Sequence, residues 1–262
     1  MNRWRKADER IVKLEDEIGV CALLVIETGS RAYGWASEDS DYDVRFVYAR
    51  SIDDHMRIDS PREQVELAND ETYDIVGWDL SKFMRLAWNG NPTALEWLKS
   101  PIVYESDAFS GVRELFSMNV DAKRLARHYL GMTRADCKRN LIIPVPGLPM
   151  ARPEASVKGL LTTARGVLSL RWVLRNESMP PVSIERLLED DVSPVVADAV
   201  LDLVEMRKKG VEMANKPALV GFITGYVELG QDRVDAMSES EPISTEVINE
   251  TYIKVITEAF LA

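Results

Sequence analysis

ETGSRAYGWASEDSDYDVRFVYAR, residues 27–50, holds a Gly-Ser step at Gly29-Ser30 and then places Asp41 and Asp43 at the mouth of an apolar run. The segment DVRFVYA (43–49) alternates apolar and polar residues and is rich in Val, Phe and Tyr. That is the pattern of a strand with one buried face. The same period puts Asp41 and Asp43 on one side and Tyr42 on the other. Upstream, VCALLVIE (20–27) is a short unbroken apolar stretch, which reads as a buried strand ended by Gly29-Ser30. A helical turn to about Trp35 and a polar loop, SEDSD (37–41), join the two strands. Residues 50–70 are polar and irregular, and ETYDIVGWDL (71–80) reads as a third strand with Asp74 in its middle.

Aspartate is depleted inside strands, so Asp74 calls for an explanation. With the second and third strands as neighbours, Asp41, Asp43 and Asp74 converge to within about 5 Å, the span one divalent ion can bridge. Three anions that close repel one another unless a cation lies between them. Hard divalent cations take oxygen ligands, and Mg²⁺ uses a few carboxylates together with substrate phosphate. The Gly-Ser step has a matching use: glycine admits a close approach, and backbone N–H groups with the Ser30 hydroxyl can cradle phosphate oxygens. A phosphate cradle beside a metal site is the equipment of phosphoryl or nucleotidyl transfer.

Outward from this centre, Trp4, Ile11, Leu14 and Ile18 recur at helical spacing in residues 3–18. From Leu80 the character becomes helical, with a break at Asn91-Pro92. Ser106–Met118, Asp121–Asp136, Glu154–Arg175, 194–215 and 245–261 read as further helices. IIPVPGLPMARP (142–153), with four prolines, is the best linker candidate. The fold class expected is therefore α+β. A small mixed sheet with helices on one face forms an α/β core over residues 1–105, and a mainly helical domain follows over 106–262. Lys158 and Arg165 lie seven apart in the helix VKGLLTTARGVLSLRWVLR and share a face. Turned to a cleft they could hold phosphates, as could Arg171 or Arg175; turned outward they are snorkelling cations. Lys82 and Arg85 offer the same choice. Trp78, Trp88, Trp97 and Leu98 read as core, and His128 as a helix-surface or packed histidine rather than a general base.

The net charge of −11 excludes a generally basic nucleic-acid binder. Residues 176–262 hold 17 acids and 7 bases, which leaves 26 acids and 25 bases for residues 1–175. One basic window, 121–140, has six bases against two acids and reads first as a solvated helix face. No apolar run reaches the ~18 residues of a membrane span, and the charged N-terminus lacks the apolar core of a signal peptide. Two cysteines, Cys21 and Cys137, make no disulfide framework. A cytoplasmic protein with no membrane partner is the expectation.

GSRAYGWASEDSDYDVRFVY closely resembles the Gly-Ser and Asp-x-Asp signature of the DNA polymerase β superfamily of nucleotidyltransferases. Arg31, Tyr33-Gly34, SDYDVRF, GWDLSKFMRLAWNGNPTALEWLKSP (77–101) and VKGLLTTARGVLSLRWVL (157–174) resemble more narrowly its RNA-ligase-associated, polymerase-β-like family. The likeness covers residues ~20–190 and is strongest in the first hundred. It implies Gly29 and Ser30 as triphosphate contacts; Arg31, Ser40 and, if turned to the cleft, Lys158 and Arg165 are the further candidates for the nucleotide. It implies Asp41 and Asp43 as ligands of Mg²⁺ or Mn²⁺. Asp74 is implied as the third acid, a metal ligand and base toward an attacking hydroxyl. Asp79 competes for that role, although its place at a helix start suits capping. The activity implied is transfer of an NMP from an NTP, ATP by default, to a hydroxyl, with release of pyrophosphate. An RNA 3′ end suits the association with RNA ligases; a protein hydroxyl or a small molecule are the other acceptors. The competing reading is a non-catalytic nucleotide-binding or antitoxin-like module. Such modules tend to lose one of the acids, and this chain retains all three.

Overall fold

The computed structural model describes residues 4–59, 61–67, 72–141 and 155–261. Strands β1 (Val20–Thr28), β2 (Tyr42–Arg50), β3 (Gln64–Glu66), β4 (Tyr73–Asp79) and β5 (Ile102–Glu105) form one mixed sheet in the order β3-β4-β2-β1-β5. β1 runs antiparallel to β2, with Thr28 opposite Asp43, and β5 pairs antiparallel with its other edge. β2 and β4 are parallel, with Tyr42 beside Tyr73 and Asp43 beside Asp74. The unbroken apolar sequence of β1 is explained by its place inside the sheet, where Leu23, Leu24 and Ile26 are fully buried. β3 and β5 are edge strands of three and four residues; neither was expected from the sequence.

Helix α1 (Trp4–Ile18) lays Ile11 and Leu14 over Val44, Phe46, Tyr48, Tyr73 and Ile75. Burying each of these large side chains is worth about 1.5–3 kcal/mol, so this layer is a main source of stability. Strand alternation turns Asp43, Arg45, Asp74, Val76 and Trp78 to the opposite face. There, beyond the short helices α2 (Gly29–Tyr33) and α3 (Ile52–His55), lie α4 (Leu80–Trp88) and α5 (Pro92–Trp97). The Trp78 and Trp97 rings stack 4.0 Å apart, and Phe83 packs near Trp97 and Phe109. Helices thus cover both faces, not one, because Trp78 carries its own apolar surface to the face that holds the acids. Asn91 caps α5 by accepting from the Ala94 N–H, which explains the break read at Asn91-Pro92.

The chain divides into two compact units. The first holds Met1–Ala32, Ser40–Asn119 and Glu241–Ala262; the second holds Tyr33–Asp39 and Val120–Ser240. Helix α6 (Ser110–Met118) belongs to the first unit, where Val112 and Phe116 are buried. In the second unit, α7 (Ala122–Asn140), α9 (Ile184–Leu188), α10 (Pro194–Lys208) and α11 (Pro217–Asp235) surround α8 (Val157–Asn176). Fourteen of the twenty residues of α8 are buried, which makes it the core helix of that unit. A two-stranded ribbon, β6 (Ala155–Ser156) with β7 (Met213–Ala214), precedes it. The helix read over 194–215 stops at Lys208, and α11 was not expected. The linker candidate 142–153 lies outside the described residues. Helix α12 (Thr245–Leu261) returns to the first unit and packs on α4, α6 and β2. Among the described residues, no helix is long and apolar enough to cross a membrane.

Candidate active site

β1 ends at Thr28, whose hydroxyl donates to the Asp43 carbonyl at 3.2 Å. Gly29 follows with φ +67°, a left-handed conformation that a side chain disfavours. The reason for glycine here is also spatial. A Cβ on Gly29 would stand 1.8 Å from Asp43 Oδ2. The carboxylate of Asp43 is thus seated directly on the backbone of the Gly-Ser turn, where Ser30, half-buried, opens α2.

Asp43 and Asp74 are register partners on parallel strands, so their side chains leave the sheet side by side. Between them lies Arg45. Its Nη2 donates to Asp74 Oδ2 at 2.7 Å and to Asp43 Oδ1 at 3.3 Å; its Nη1 donates to the carbonyls of Asp74 at 2.8 Å and Val44 at 2.9 Å. Asp43 therefore points one oxygen at the guanidinium and the other at Gly29. The sequence reading passed over Arg45, although the i, i+2, i+4 alternation of Asp41, Asp43 and Arg45 was its signal.

Asp41 is exposed, just before the first residue of β2. The loop carrying it is braced by Arg31, whose Nη2 donates to the Ser40 carbonyl at 2.6 Å and whose Nε donates to the Asp41 carbonyl at 3.3 Å. The same guanidinium lies 4.0 Å from the centre of the Tyr42 ring, which stacks in turn on Tyr73. Arg31 holds the loop of Ser40 and Asp41 rather than standing open toward a ligand.

Asp79 is buried at the opposite end of β4 and on the other face from Asp74. It caps α4, accepting from the Ser81 N–H at 2.8 Å, and faces Arg50 at 3.7 Å. Asp74, not Asp79, is thus the register neighbour of Asp43.

Two carboxylates around a bound guanidinium show that the space between β2 and β4 accepts positive charge, and their hard oxygen donors suit a divalent cation. The expected threefold convergence is not built. Among the described residues, no three Asp, Glu, His or Cys side chains are arranged to hold a metal ion. The physical reason is that Arg45 neutralises the pair and Asp41 stays outside the strand.

Lys82 donates to Gln64 and lies over the Trp78 ring, and Arg85 pairs with Glu63, so both serve the β3 edge. In the second unit Lys158 is exposed in the first turn of α8, whereas Arg165 is buried, donates to the Val182 carbonyl at 3.1 Å and stacks over Tyr33 at 3.9 Å. Arg171 and Arg175 pair with Asp190. The basic window is largely spent within the chain: Lys123 and Arg127 on Glu239, Arg124 on Asp121, Arg139 on Asp136. His128, read as helix-surface or packed, is exposed.

The model of the RNA repair pathway DNA polymerase beta family matches residues 5–254. The uncharacterized protein YcgL of Bacillus subtilis (strain 168) is 29% identical over 229 residues, 86% of this chain and 84% of its own length. A solved structure, a nucleotidyltransferase-like protein from Exiguobacterium sibiricum 255-15, aligns over 97% of this chain and 91% of its own, with 12% identity and a TM-score of 0.33.

Proposed function

The chain belongs to the RNA repair pathway DNA polymerase beta family, a polymerase-β-like nucleotidyltransferase family, and on that premise we propose that it moves an NMP from an NTP to a hydroxyl acceptor. ATP is the donor by abundance, and the RNA repair pathway in the family's description supports RNA as acceptor; its 3′ end offers the hydroxyl. The acceptor oxygen forms a bond to the α-phosphorus, the bond from that phosphorus to the bridging oxygen breaks, and pyrophosphate leaves. The observation that carries this reading is the seating of Asp43 on Gly29 while it stands in register with Asp74. One short stretch of backbone thereby brings phosphate donors and acids together.

Each residue then has a task. The backbone of Gly29 and Ser30, with the Ser30 hydroxyl, binds phosphate oxygens. Asp41 and Asp43 would hold a divalent ion, which would supply charge against the α-phosphate. Asp74 accepts the proton of the attacking hydroxyl. Arg31 fixes the loop that carries Ser40 and Asp41. A second reading, a nucleotide-binding module without turnover, draws support from the Arg45 bridge, since a chain that neutralises its own acids has no need of a metal to fold.

Incubation with each α-labelled NTP, Mg²⁺ and cellular RNA separates the two. Label is expected on RNA, with ATP preferred. Asp43→Ala is expected to lower the rate by about 10² or more, as loss of electrostatic bracing does in such chemistry, while the protein stays folded. No transfer with any NTP, or full activity in Asp43→Ala, refutes catalysis.

A further inference from the structure

We infer that Arg165 is a positioning residue for the candidate active site: by clamping Tyr33 it anchors, within the second unit, the span of chain that joins the Gly29-Ser30 turn to Asp41. The inference rests on the transfer reading above and gives this buried cation a place in it. Three observations carry it. The chain leaves the first unit after Ala32 and re-enters it at Ser40, and residues 33–39 belong to the second unit. Within that unit Trp35 is 3% exposed and belongs to the same apolar cluster as Val157, Leu161 and Ile184, and Tyr33 packs against that cluster. And Arg165, 8% exposed, lies with its guanidinium carbon 3.9 Å from the centre of the Tyr33 ring, while its Nε donates to the Val182 carbonyl at 3.1 Å.

The sequence Tyr33-Gly34-Trp35 suits this duty. Gly34 has φ +94°, a conformation that side chains disfavour. The bend there sets the Tyr33 and Trp35 rings 5.2 Å apart, so that residues i and i+2 both reach one core. Over the face of Tyr33 a buried guanidinium meets the negative potential of the ring with little competition from water. With one face on a ring and its Nε on a carbonyl, Arg165 acts through Tyr33 rather than on a phosphate. Ser30 lies three residues before Tyr33, and Asp41 lies six after Trp35. Arg31 ties the two ends of the span together through the Ser40 and Asp41 carbonyls. Trp35 and the ring under Arg165 hold its middle. A span held at its ends and its middle has few ways to shift, and it fixes Ser30 and Asp41 at its two edges. Placement errors of about 1 Å, even from changes far from the reacting atoms, cost about 10²-fold in rate.

The test is NTP transfer by the full chain with kcat and KM measured separately, together with amide hydrogen exchange over residues 29–41 and thermal melting. Arg165→Met keeps the aliphatic stem and removes the cation. It is expected to lower kcat by about tenfold or more while KM for the NTP stays within about twofold, and to speed exchange over 29–41. Tyr33→Leu is expected to do the same and serves if Arg165→Met does not fold. The two changes together should cost little more than either alone, since both remove one contact. Tyr33→Phe, which keeps the ring, should recover most of the loss. A raised KM with kcat intact makes Arg165 a nucleotide contact and overturns the inference. A lower Tm with kcat and KM unchanged per folded molecule makes it a purely structural residue and overturns the inference too, as does unchanged exchange in a folded variant. If the wild type transfers no NMP the proposed function fails; faster exchange in the variants then upholds the anchor, and unchanged exchange removes it.

Discussion

Gly29→Ala tests the geometry most directly. Two costs are separable. A non-glycine residue at φ +67° pays a left-handed penalty of about 1–2 kcal/mol. The new Cβ, 1.8 Å from Asp43 Oδ2 and 2.5 Å from its Cγ, also evicts the carboxylate from its seat. Loss of a part-buried, charge-assisted hydrogen bond to Arg45 adds about 1–2 kcal/mol, near the low end for charged partners because the site is partly wet. The sum is about 2–4 kcal/mol, which lowers Tm by about 5–15 °C in a protein of this size. Gly19→Ala supplies the control. Gly19 has φ +66° and nothing within 4 Å of its Cβ position, so it carries the backbone penalty alone. Calorimetric melting of both variants isolates the collision as their difference, and NTP transfer should fail in Gly29→Ala only. Equal melting temperatures for the two variants would refute the close packing of Asp43 on Gly29.

Asp79→Ala should be the mirror image of Asp43→Ala: it loses the Ser81 cap and leaves buried Arg50 unbalanced, so Tm should fall, while transfer per folded molecule stays at the wild-type level. A loss of transfer in the folded Asp79→Ala protein would return Asp79 to the site. Burial, helped by nearby Asp136, pushes the Cys137 thiol up to about 11. At pH 8 about one molecule in a thousand then carries the thiolate, so a disulfide reagent should label half-buried Cys21 first and reach Cys137 only when the second unit opens. Since this pKa is raised on folding, the stability it supports is intact below about pH 9 and declines as pH rises toward 11, which urea titrations across that range would detect.

The centre of the fold was legible because its strands advertise themselves. β1 is apolar from Val20 to Ile26, β2 alternates, and β4 carries Tyr, Ile, Val and Trp around Asp74. The alternation also put Asp41 and Asp43 on one side. What it could not supply was the partner strand's register, which is set by long-range pairing; only that pairing places Asp74 beside Asp43 and so brings Arg45 into contact with both. β3 escaped notice because QVE is too short to show a period, and β5, IVYE, for the same reason. Helix α11 was hidden by three glycines and several β-branched residues, a composition that tertiary packing of Leu219, Ile223 and Val234 overrides. The convergence of three acids was expected from charge logic that left out the chain's own cation.

Helix α12 has a bearing on how the protein is made. It covers α4, α6 and β2 of the first unit, yet it follows residues 120–240 in the chain. At translation speeds of about 5–20 residues per second, the second unit takes about 6–24 s to emerge. During that interval the sheet that carries Asp43 and Asp74 exists without its last covering helix, its apolar flank open to water. In that period the nascent chain should expose apolar surface that a holding chaperone could cover. Destabilising changes in the α12 interface should then reduce the yield of folded protein in cells more than they lower the melting temperature of the molecules that do mature.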